Sequence, residues 1–364
     1  MGSNKKYRIL VAPLDWGLGH ATRCIPIIHY LLEKNVEVVI AADKRPLELL
    51  KKEFPSLEFA VLPGYRIAYP NKGSMILKMF LSIPKIVREI REEHELLKKI
   101  IRERKIDAVI SDNRFGLWSK DIPCVYLTHQ VMVKSPFGEK WLYRRHKKIM
   151  EKFMESWIPD LSGDDNLSGD LSHKCPLPEN ACFIGPLTRF KKSPLPPFER
   201  GMEEQYDLIA VLSGPEPQRS IFEEKIIDQL RSKDIRVLIV RGITEADEEI
   251  QVTEKIKTIS HLSLEKLQSA IQASKIVLSR SGYSTIMDLS AIGAKAIFVP
   301  TPGQTEQEYL SEFFKKKGIA FSMPQKDLDI GIALKESEKY SGFVKMKSED
   351  LYKECVGRFL EKIV

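Results

Sequence analysis

Two stretches of the chain share one pattern, in which a short apolar run is followed by a glycine-containing turn and then by a helical repeat. The first stretch runs from the strand-like Tyr7–Pro13 through the turn Asp15–His20 to a helix over about 21–33. The second runs from the apolar stretch and turn at Asp207–Gly214 to a helix over about 220–231. Strand, glycine turn and helix in this order begin a doubly wound parallel sheet. The pattern therefore predicts two Rossmann-like α/β domains of similar size.

The composition is that of a globular protein with room for two ordinary domains. The 364 residues are 43% hydrophobic and 29% charged. Apolar runs fall short of the roughly eighteen residues that a membrane span needs, and the basic start leads into a strand rather than a signal peptide. We therefore expect a cytoplasmic protein. The net charge of +7 is compatible with a phosphate-bearing substrate or an anionic membrane surface and selects neither.

The cysteines predict no metal site and no disulfide framework. None has the Cys-x-x-Cys spacing of a zinc or redox motif, so free buried thiols are expected. The five cysteines are Cys24, Cys124, Cys175, Cys182 and Cys355.

The turn after the apolar run at 275–278 has the chemistry of an anion site. Gly282 lets the backbone approach a ligand, and the hydroxyls of Ser281, Ser284 and Thr285 stand where the first free N–H groups of a helix are expected. Asp288 follows one turn beyond Ser284 and faces the same side, where it can accept hydrogen bonds from a pair of ribose hydroxyls. The pattern predicts a nucleotide site.

A second apolar run, Ala296–Pro300, is followed by a polar helix start that carries Gln304, Gln307 and Glu308. In a parallel sheet this start lies at the same edge as the turn at 279–288. We expect these three side chains to face the same ligand.

Polar residues also follow two predicted strands in the first half, at Asp112-Asn113 and at His129-Gln130. Carboxyl ends of parallel strands meet at one edge of the sheet, so these four residues are predicted to lie near His20 and to contact an acceptor. The alternative, that they only form turns, stays open.

The segment 138–153 is a basic amphipathic helix with six Lys and Arg residues around Trp141. Three interpretations remain: contact with the inner membrane surface, attraction of a phosphorylated acceptor, or a solvated face over a core. Nucleic acid is disfavoured as a partner, because acidic residues are interleaved with the basic ones and no aromatic RNA-binding signature is present.

The segment 279–308 resembles the donor-binding motif of GT-B nucleotide-sugar glycosyltransferases, in particular the MurG branch. Arg280, Gly282, Thr285 and Asp288 match its first part, with Asp where the family usually has Glu. Gln307 and Glu308 stand where the family has two glutamines. His129-Gln130 also resembles part of its His-Glu-Gln-Asn stretch.

The resemblance implies two Rossmann-like domains that face a cleft and a UDP-sugar donor. Asp288 would bind the ribose, Gln307 the sugar hydroxyls, and Ser213-Gly214 the diphosphate. The glycine-rich loop with Gly17, Gly19 and His20 would also face the donor. The acceptor implied is a glycan or a lipid-linked sugar. Because Glu308 replaces a glutamine, the sugar remains open between N-acetylglucosamine and a related hexose.

The predicted reaction is transfer of the sugar to an acceptor hydroxyl with inversion at the anomeric carbon. His20 is the candidate base, and capping its helix or binding the donor are its alternatives. Arg280 pairs with the diphosphate or forms an internal structural contact. No metal cofactor is expected, since helix N-termini and Arg280 can stabilise the diphosphate.

Two other functions remain open: a UDP-sugar hydrolase, because the G-x-G-H-x-x-R loop ending at Arg23 resembles the hydrolase of pseudaminic acid synthesis, and a non-catalytic nucleotide-sugar binding protein. The predicted domains are 1–190 for the acceptor and 206–345 for the donor, with a linker at 191–205. A last helix within 346–364 is expected to pack on the first domain.

Overall fold

The computed structural model describes residues 6–65, 75–135, 138–190, 205–346 and 351–363, with the side chains of 75–83 left aside. The chain divides into two compact units. Unit 1 comprises Met1–Leu187 and Glu349–Val364, and unit 2 comprises Thr188–Ser348. Apart from Gln205, the predicted linker at 191–205 lies outside the described residues.

Unit 1 alternates strands and helices along the chain. Its elements before the boundary are β1 (Arg8–Pro13), α1 (Leu18–Glu33), β2 (Glu37–Ala42), α2 (Lys44–Glu53), β3 (Glu58–Val61), α3 (Met75–Arg104), β4 (Ala108–Asp112), β5 (Cys124–Leu127), α4 (Glu139–Met150), β6 (Glu155–Ile158), α5 (Asp170–His173) and β7 (Ala181–Phe183). The strands form one parallel sheet in the order β3-β2-β1-β4-β5-β6-β7. All residues of β4 and β5 are buried, which explains the apolar runs at 108–110 and 124–127.

Unit 2 repeats the alternation. Its elements are β8 (Leu208–Val211), α6 (Gln218–Leu230), β9 (Val237–Val240), β10 (Glu249–Thr253), β11 (Ile256–Ile259), α7 (Leu264–Gln272), β12 (Val277–Ser279), α8 (Tyr283–Ile292), β13 (Ala296–Phe298), α9 (Thr305–Lys316), β14 (Phe321–Ser322), a 3-10 turn (Gln325–Asp327) and α10 (Ile330–Ser337). The sheet order is β10-β11-β9-β8-β12-β13-β14, parallel except for the edge hairpin β10-β11. The predicted fold class, two parallel-sheet α/β domains, is confirmed.

The last helix, α11 (Leu351–Ile363), belongs to unit 1. Phe359 is fully buried and meets Trp157 of β6 edge-on, with ring centroids 5.7 Å apart. Lys362 donates to Glu155 at 2.6 Å. Gly185 adopts φ +77°, and a Cβ there would lie 3.1 Å from Leu351 Cβ. The start of α11 is thus packed against the segment that follows β7.

Each sheet has one place where the strand order reverses, and there the loops that follow neighbouring strands diverge and leave a crevice. In unit 1 this place lies between β1 and β4, and in unit 2 between β8 and β12. Predicted site residues lie at the ends of these four strands or just beyond them: His20 in the first turn of α1, Asp112 at the end of β4, Ser213-Gly214 after β8 and Ser281 after β12.

None of the helices in the described part of the chain combines the length with the apolar character that a bilayer crossing requires.

Candidate functional site

In unit 1 the loop after β1 brings His20 onto the end of β4. Pro13 pairs with Asp112 across the two strands, and His20 lies in the first turn of α1 behind Gly17, whose φ is +147°. His20 Nδ1 is 3.1 Å from Asp112 Oδ2; the imidazole side chain is 16% exposed, whereas the carboxylate is fully buried. A buried carboxylate is thus hydrogen-bonded to an imidazole that is partly exposed.

Arg23, one turn further along α1, contacts Asp112, His129 and His20. Its Nε donates to both Asp112 oxygens at 2.9 Å, and Nη2 also bonds Asp112 Oδ1. Nη2 lies 2.9 Å from His20 Nδ1, and Nη1 lies 2.7 Å from His129 Nδ1. Sequence reasoning placed Arg23 in the loop motif but gave it no role. The sequence feature that indicates a role is its position three residues after His20, since residues i and i+3 lie on the same face of a helix.

These contacts restrict where the imidazole protons are. Guanidinium groups only donate, so His129 Nδ1 accepts from Arg23 and the ring proton sits on Nε2. His20 Nδ1 has two competing partners: it donates to Asp112 or accepts from Arg23. Only in the first arrangement does His20 Nε2 carry a lone pair that can take a proton.

The pKa values follow from the same contacts. Burial, and then the charge of Arg23, lower the pKa of His20 below 6.5, against the opposing effect of Asp112. Burial alone would raise the pKa of Asp112, but Arg23 and His20 outweigh it and hold that pKa below its usual value. Near neutral pH the site thus holds an ionised carboxylate and a neutral imidazole.

The loop of His20 is anchored at its start. Asp15 pairs with Lys44 at 3.0 Å, and a Cβ on Gly64 would lie 1.6 Å from Asp15 Oδ1, so only glycine fits there. Trp16 Nε1 donates to the carbonyl of Tyr65 at 3.3 Å. Beyond Tyr65, a cavity of about 400 Å³ separates the end of β3 from α3.

The other predicted acceptor residues lie beside this cluster but are tied to the protein. Asn113 adopts φ +57°, and its Oδ1 accepts from Tyr126 at 2.9 Å and from Thr128 at 3.3 Å. The carbonyl of His129 accepts from Ser172, and Thr128 Oγ1 accepts from the N–H of Gln130. The structure therefore brings Asp112 and His129 to His20, while Asn113 supports the neighbouring turn.

In unit 2 the predicted anion turn is the start of α8. Its N-cap is Gly282, which has no side chain to cap the helix, and no acidic residue occupies the first turn. Ser284 and Thr285 are half-buried in that turn. Across the β8 turn, half-buried Ser213 precedes Gly214, which adopts φ +108°; a Cβ at Gly214 would lie 3.6 Å from Thr301 Oγ1. That hydroxyl is buried and has no hydrogen-bond partner among the described residues.

Arg280 points into unit 2 and not toward this turn. Nη1 donates to the carbonyls of Val299 and Pro300 at 3.0 and 3.2 Å. Nη2 donates to the carbonyl of Gln218 and to Gln325 Oε1 at 2.6 Å, and the guanidinium stacks 4.0 Å from the Phe222 ring centre. Burial lowers its pKa to about 10. Of the two interpretations of Arg280, these contacts fit the structural one.

Asp288 is engaged by the residues that open unit 2. Its Oδ1 accepts from Thr188 Oγ1 at 2.9 Å, and its Oδ2 accepts from Arg189 Nε at 3.1 Å. Burial raises the pKa of Asp288, with Arg189 opposing the shift. A cavity of about 30 Å³ lies between Arg189, Thr285 and Asp288, which is too small for a ribose.

The polar side chains at the start of α9 make hydrogen bonds within the turn that precedes this helix. Gln307 Oε1 accepts from Thr301 N at 2.8 Å, and its Nε2 donates to Gln304 Oε1 at 2.5 Å. Glu308 accepts from Gly303 N, and Ser281 Oγ donates to the carbonyl of Gln307. These bonds join the start of α9 to the turn before α8, as the prediction of one shared ligand site requires.

The described residues contain no cluster of three or more acidic, His or Cys side chains that could hold a metal ion. Asp327 and Asp329 have Asp-x-Asp spacing. Asp329, however, caps α10 by accepting from Ile332 N at 2.9 Å.

Comparison with known proteins agrees with this architecture. Residues 211–341 match the glycosyltransferase family 28 C-terminal domain. The chain is 24% identical over 338 residues to the Pasteurella multocida UDP-N-acetylglucosamine–N-acetylmuramyl-(pentapeptide) pyrophosphoryl-undecaprenol N-acetylglucosamine transferase, covering 90% of this chain and 86% of that protein. An uncharacterized glycosyltransferase of Methanosarcina acetivorans is 21% identical, covering 87% and 86%.

Solved structures share the fold at low sequence identity. MurG of Acinetobacter baumannii superposes with a TM-score of 0.56 at 12% identity, covering 98% of this chain and all of that one. The glycosyltransferase of kitacinnamycin gives a TM-score of 0.63 at 14% identity, covering 99% of both chains. Both domains therefore have the GT-B architecture.

We predict that Arg280→Ala lowers the free energy of unfolding by about 3 kcal/mol, because four protein acceptors and a ring lose a buried partner. Urea denaturation checks this, with Arg231→Ala, an exposed arginine of the same unit, as the control that leaves stability unchanged. If Arg280→Ala kept its stability and lost only affinity for UDP, the diphosphate interpretation would be correct.

Proposed function

Because this chain is a MurG-like glycosyltransferase with the GT-B fold, we propose that it transfers a sugar from a UDP-sugar to an acceptor hydroxyl with inversion. The Pasteurella multocida relative named above is an N-acetylglucosamine transferase that acts on an N-acetylmuramyl-(pentapeptide) pyrophosphoryl-undecaprenol. We infer the same classes here: a UDP-N-acetylhexosamine or UDP-hexose as donor, and a sugar linked to a polyprenyl diphosphate as acceptor.

One observation carries the proposal: the half-buried His20 is hydrogen-bonded at Nδ1 to the fully buried carboxylate of Asp112. When Nδ1–H donates to Asp112, Nε2 is free to accept the proton of an acceptor hydroxyl. The acceptor oxygen then bonds to the anomeric carbon while that carbon's bond to the UDP oxygen breaks. The charge on Asp112 stabilises the imidazolium that forms.

Departure of UDP requires stabilisation of a diphosphate. We infer that the uncapped start of α8, with the backbone of Ser213-Gly214 and the Thr301 hydroxyl, supplies it. N–H groups at a helix start bind phosphate oxygens and need no metal ion. The turn before α9 is held together by hydrogen bonds of Gln304, Gln307 and Glu308. We infer that these residues shape the sugar site through that turn.

We further propose that the protein contacts the cytoplasmic face of the membrane through α4. Four of its basic residues, Lys140, Arg144, Arg145 and Lys148, are exposed. Trp141 is 48% exposed, with Arg145 5.4 Å from its ring centre. Cationic side chains around an exposed indole suit an anionic lipid surface, and contact would bring the enzyme to a lipid-linked acceptor.

We predict that UDP release from one UDP-sugar depends on a polyprenyl diphosphate-linked saccharide, and that His20→Ala lowers kcat by about 10²- to 10⁴-fold by removing the base. The assay screens UDP-sugars for coupled UDP release and labelled product. His29→Ala, an exposed histidine of the same helix, is the matched control and keeps full activity. Calorimetry on His20→Ala shows that UDP still binds.

Two outcomes of this assay contradict the transferase. Equal release of free sugar without any acceptor identifies a UDP-sugar hydrolase. Binding of UDP-sugars without turnover under any condition, in wild type as in His20→Ala, identifies a nucleotide-sugar binding protein.

We predict that kcat/KM is flat near neutrality and falls on acidification below about pH 6.5, because the pKa of His20 is lowered and protonation removes the base. Arg23→Gln removes a nearby positive charge and raises the pKa of His20, so the acid limb moves to higher pH. Arg23→Lys keeps the charge and keeps the limb in place. If the acid limb lay at the same pH in the wild-type, Arg23→Gln and Arg23→Lys proteins, all of them folded, Arg23 would not set the pKa of His20.

We predict that the protein sediments with vesicles containing phosphatidylglycerol and not with pure phosphatidylcholine. Reversing two charges, Arg144→Glu with Arg145→Glu, weakens binding by about 1 kcal/mol per side chain. The control, Lys98→Glu with Lys99→Glu on exposed positions of α3, makes the same change in net charge. Equal loss in both double variants would point to net charge and not to α4.

A further inference from the structure

Two of the five cysteines meet in unit 1, away from the site described above. Cys182 is the central residue of β7, the edge strand of the sheet, and Cys355 lies in the second turn of α11. Cys182 is in register with Trp157 of β6, and the Trp157 ring meets Phe359 one turn after Cys355, so the two cysteines lie at the same contact between the sheet and α11. Cys182 is half-buried and Cys355 is 6% exposed. Residues that are 173 positions apart in sequence are thus brought to one contact.

Arg358 makes the two thiols chemically unequal. It lies one turn after Cys355 on α11, it is exposed, and its Nη2 donates to Cys355 Sγ at 3.1 Å. The hydrogen bond from Cys182, and then Arg358, lower the pKa of Cys355 to about 6 against the effect of burial. The same sulfur contact, together with burial, raises the pKa of Cys182. Near neutral pH the pair is one thiolate beside one thiol.

The remaining cysteines have no such arrangement. Burial raises the pKa of Cys24 and raises that of Cys124 to about 12. Cys175 Sγ lies 3.6 Å from the sulfur of Met132. A thiolate with a cationic neighbour and a second thiol in contact is the arrangement of a nucleophilic and a resolving cysteine.

We propose that Cys355 and Cys182 form a thiol–disulfide exchange site for low-molecular-weight disulfides. The Cys355 thiolate attacks one sulfur of the small disulfide, forms a mixed disulfide and releases one small thiolate. Cys182, after losing its proton to solvent, attacks Cys355 Sγ and releases the second small thiolate. The protein pair is oxidised by two electrons, and the small disulfide is reduced to two thiols.

The bond would join α11 covalently to the edge of the sheet. Gly185, three residues after Cys182, already packs on Leu351 at the start of the helix. In a reducing compartment such a bond is reversible and reports the thiol–disulfide balance.

The test uses the reduced full-length protein and oxidised glutathione at about pH 7, followed by alkylation, digestion and mass spectrometry. Wild type is expected to yield the peptide pair joined through Cys182 and Cys355. Cys182→Ser is expected to stop at glutathione on Cys355, and Cys355→Ser to leave Cys182 unmodified. Cys124→Ser is the matched control and behaves as wild type.

Rates give a second, independent readout. Arg358→Leu is expected to slow the glutathionylation of the Cys182→Ser protein by several-fold to about tenfold at pH 7, because the thiolate fraction falls. Thermal melting confirms that each variant is folded. The proposal is overturned if folded wild type forms no joined peptide, if Cys182 reacts equally in Cys355→Ser, or if Arg358→Leu leaves the rate unchanged.

Discussion

The ion pair between Asp112 and Arg23 is the contact on which the candidate catalytic site depends. A carboxylate without exposure costs several kcal/mol to bury alone, so it must be paired and hydrogen-bonded. Arg23 meets that requirement with Nε and Nη2, and the same guanidinium then fixes His129 and competes for His20. Replacing the pair by apolar side chains need not destabilise the fold. The orientation of the two imidazoles would be lost. The pair therefore contributes more to the geometry of the site than to the stability of the fold.

The two units have the same backbone arrangement at their candidate sites but present different chemical groups there. In both, a loop follows a buried strand next to the point where the strand order reverses. In unit 1 the start of α1 and the end of β4 bring two titratable side chains together, His20 and Asp112, which suits proton transfer. In unit 2 the loop delivers backbone N–H groups and hydroxyls around Gly214 and Gly282, which suits an anion. Arg280, the cation in that motif, uses both of its terminal nitrogens to join the carbonyls after β13 to the start of α6, so it supports the anion turn through the backbone.

The sequence was sufficient for the fold class because buried parallel strands and glycine turns are local patterns. The strands at 108–111 and 125–128 and the helix start after Gly282 follow from apolar runs and their breaks. The first helix begins at Leu18, about three residues earlier than the turn pattern predicted. Side-chain partners do not follow in this way. Arg23 meets Asp112 across 89 positions, and Thr188 meets Asp288 across 100. The edge strand β10, which pairs antiparallel with β11, was also beyond the pattern, because none of its residues is buried and three of its five residues are polar.

Asp288 shows why a matching motif position does not by itself give an affinity. Its carboxylate already accepts hydrogen bonds from the Thr188 hydroxyl and the Arg189 guanidinium. Ribose hydroxyls that bind Asp288 must replace at least part of this set, so the net gain is the difference between two sets of hydrogen bonds. A nucleotide bound at Asp288 would therefore gain affinity only as far as residues 188–190 gave up these contacts, and this segment is the start of unit 2 in the chain.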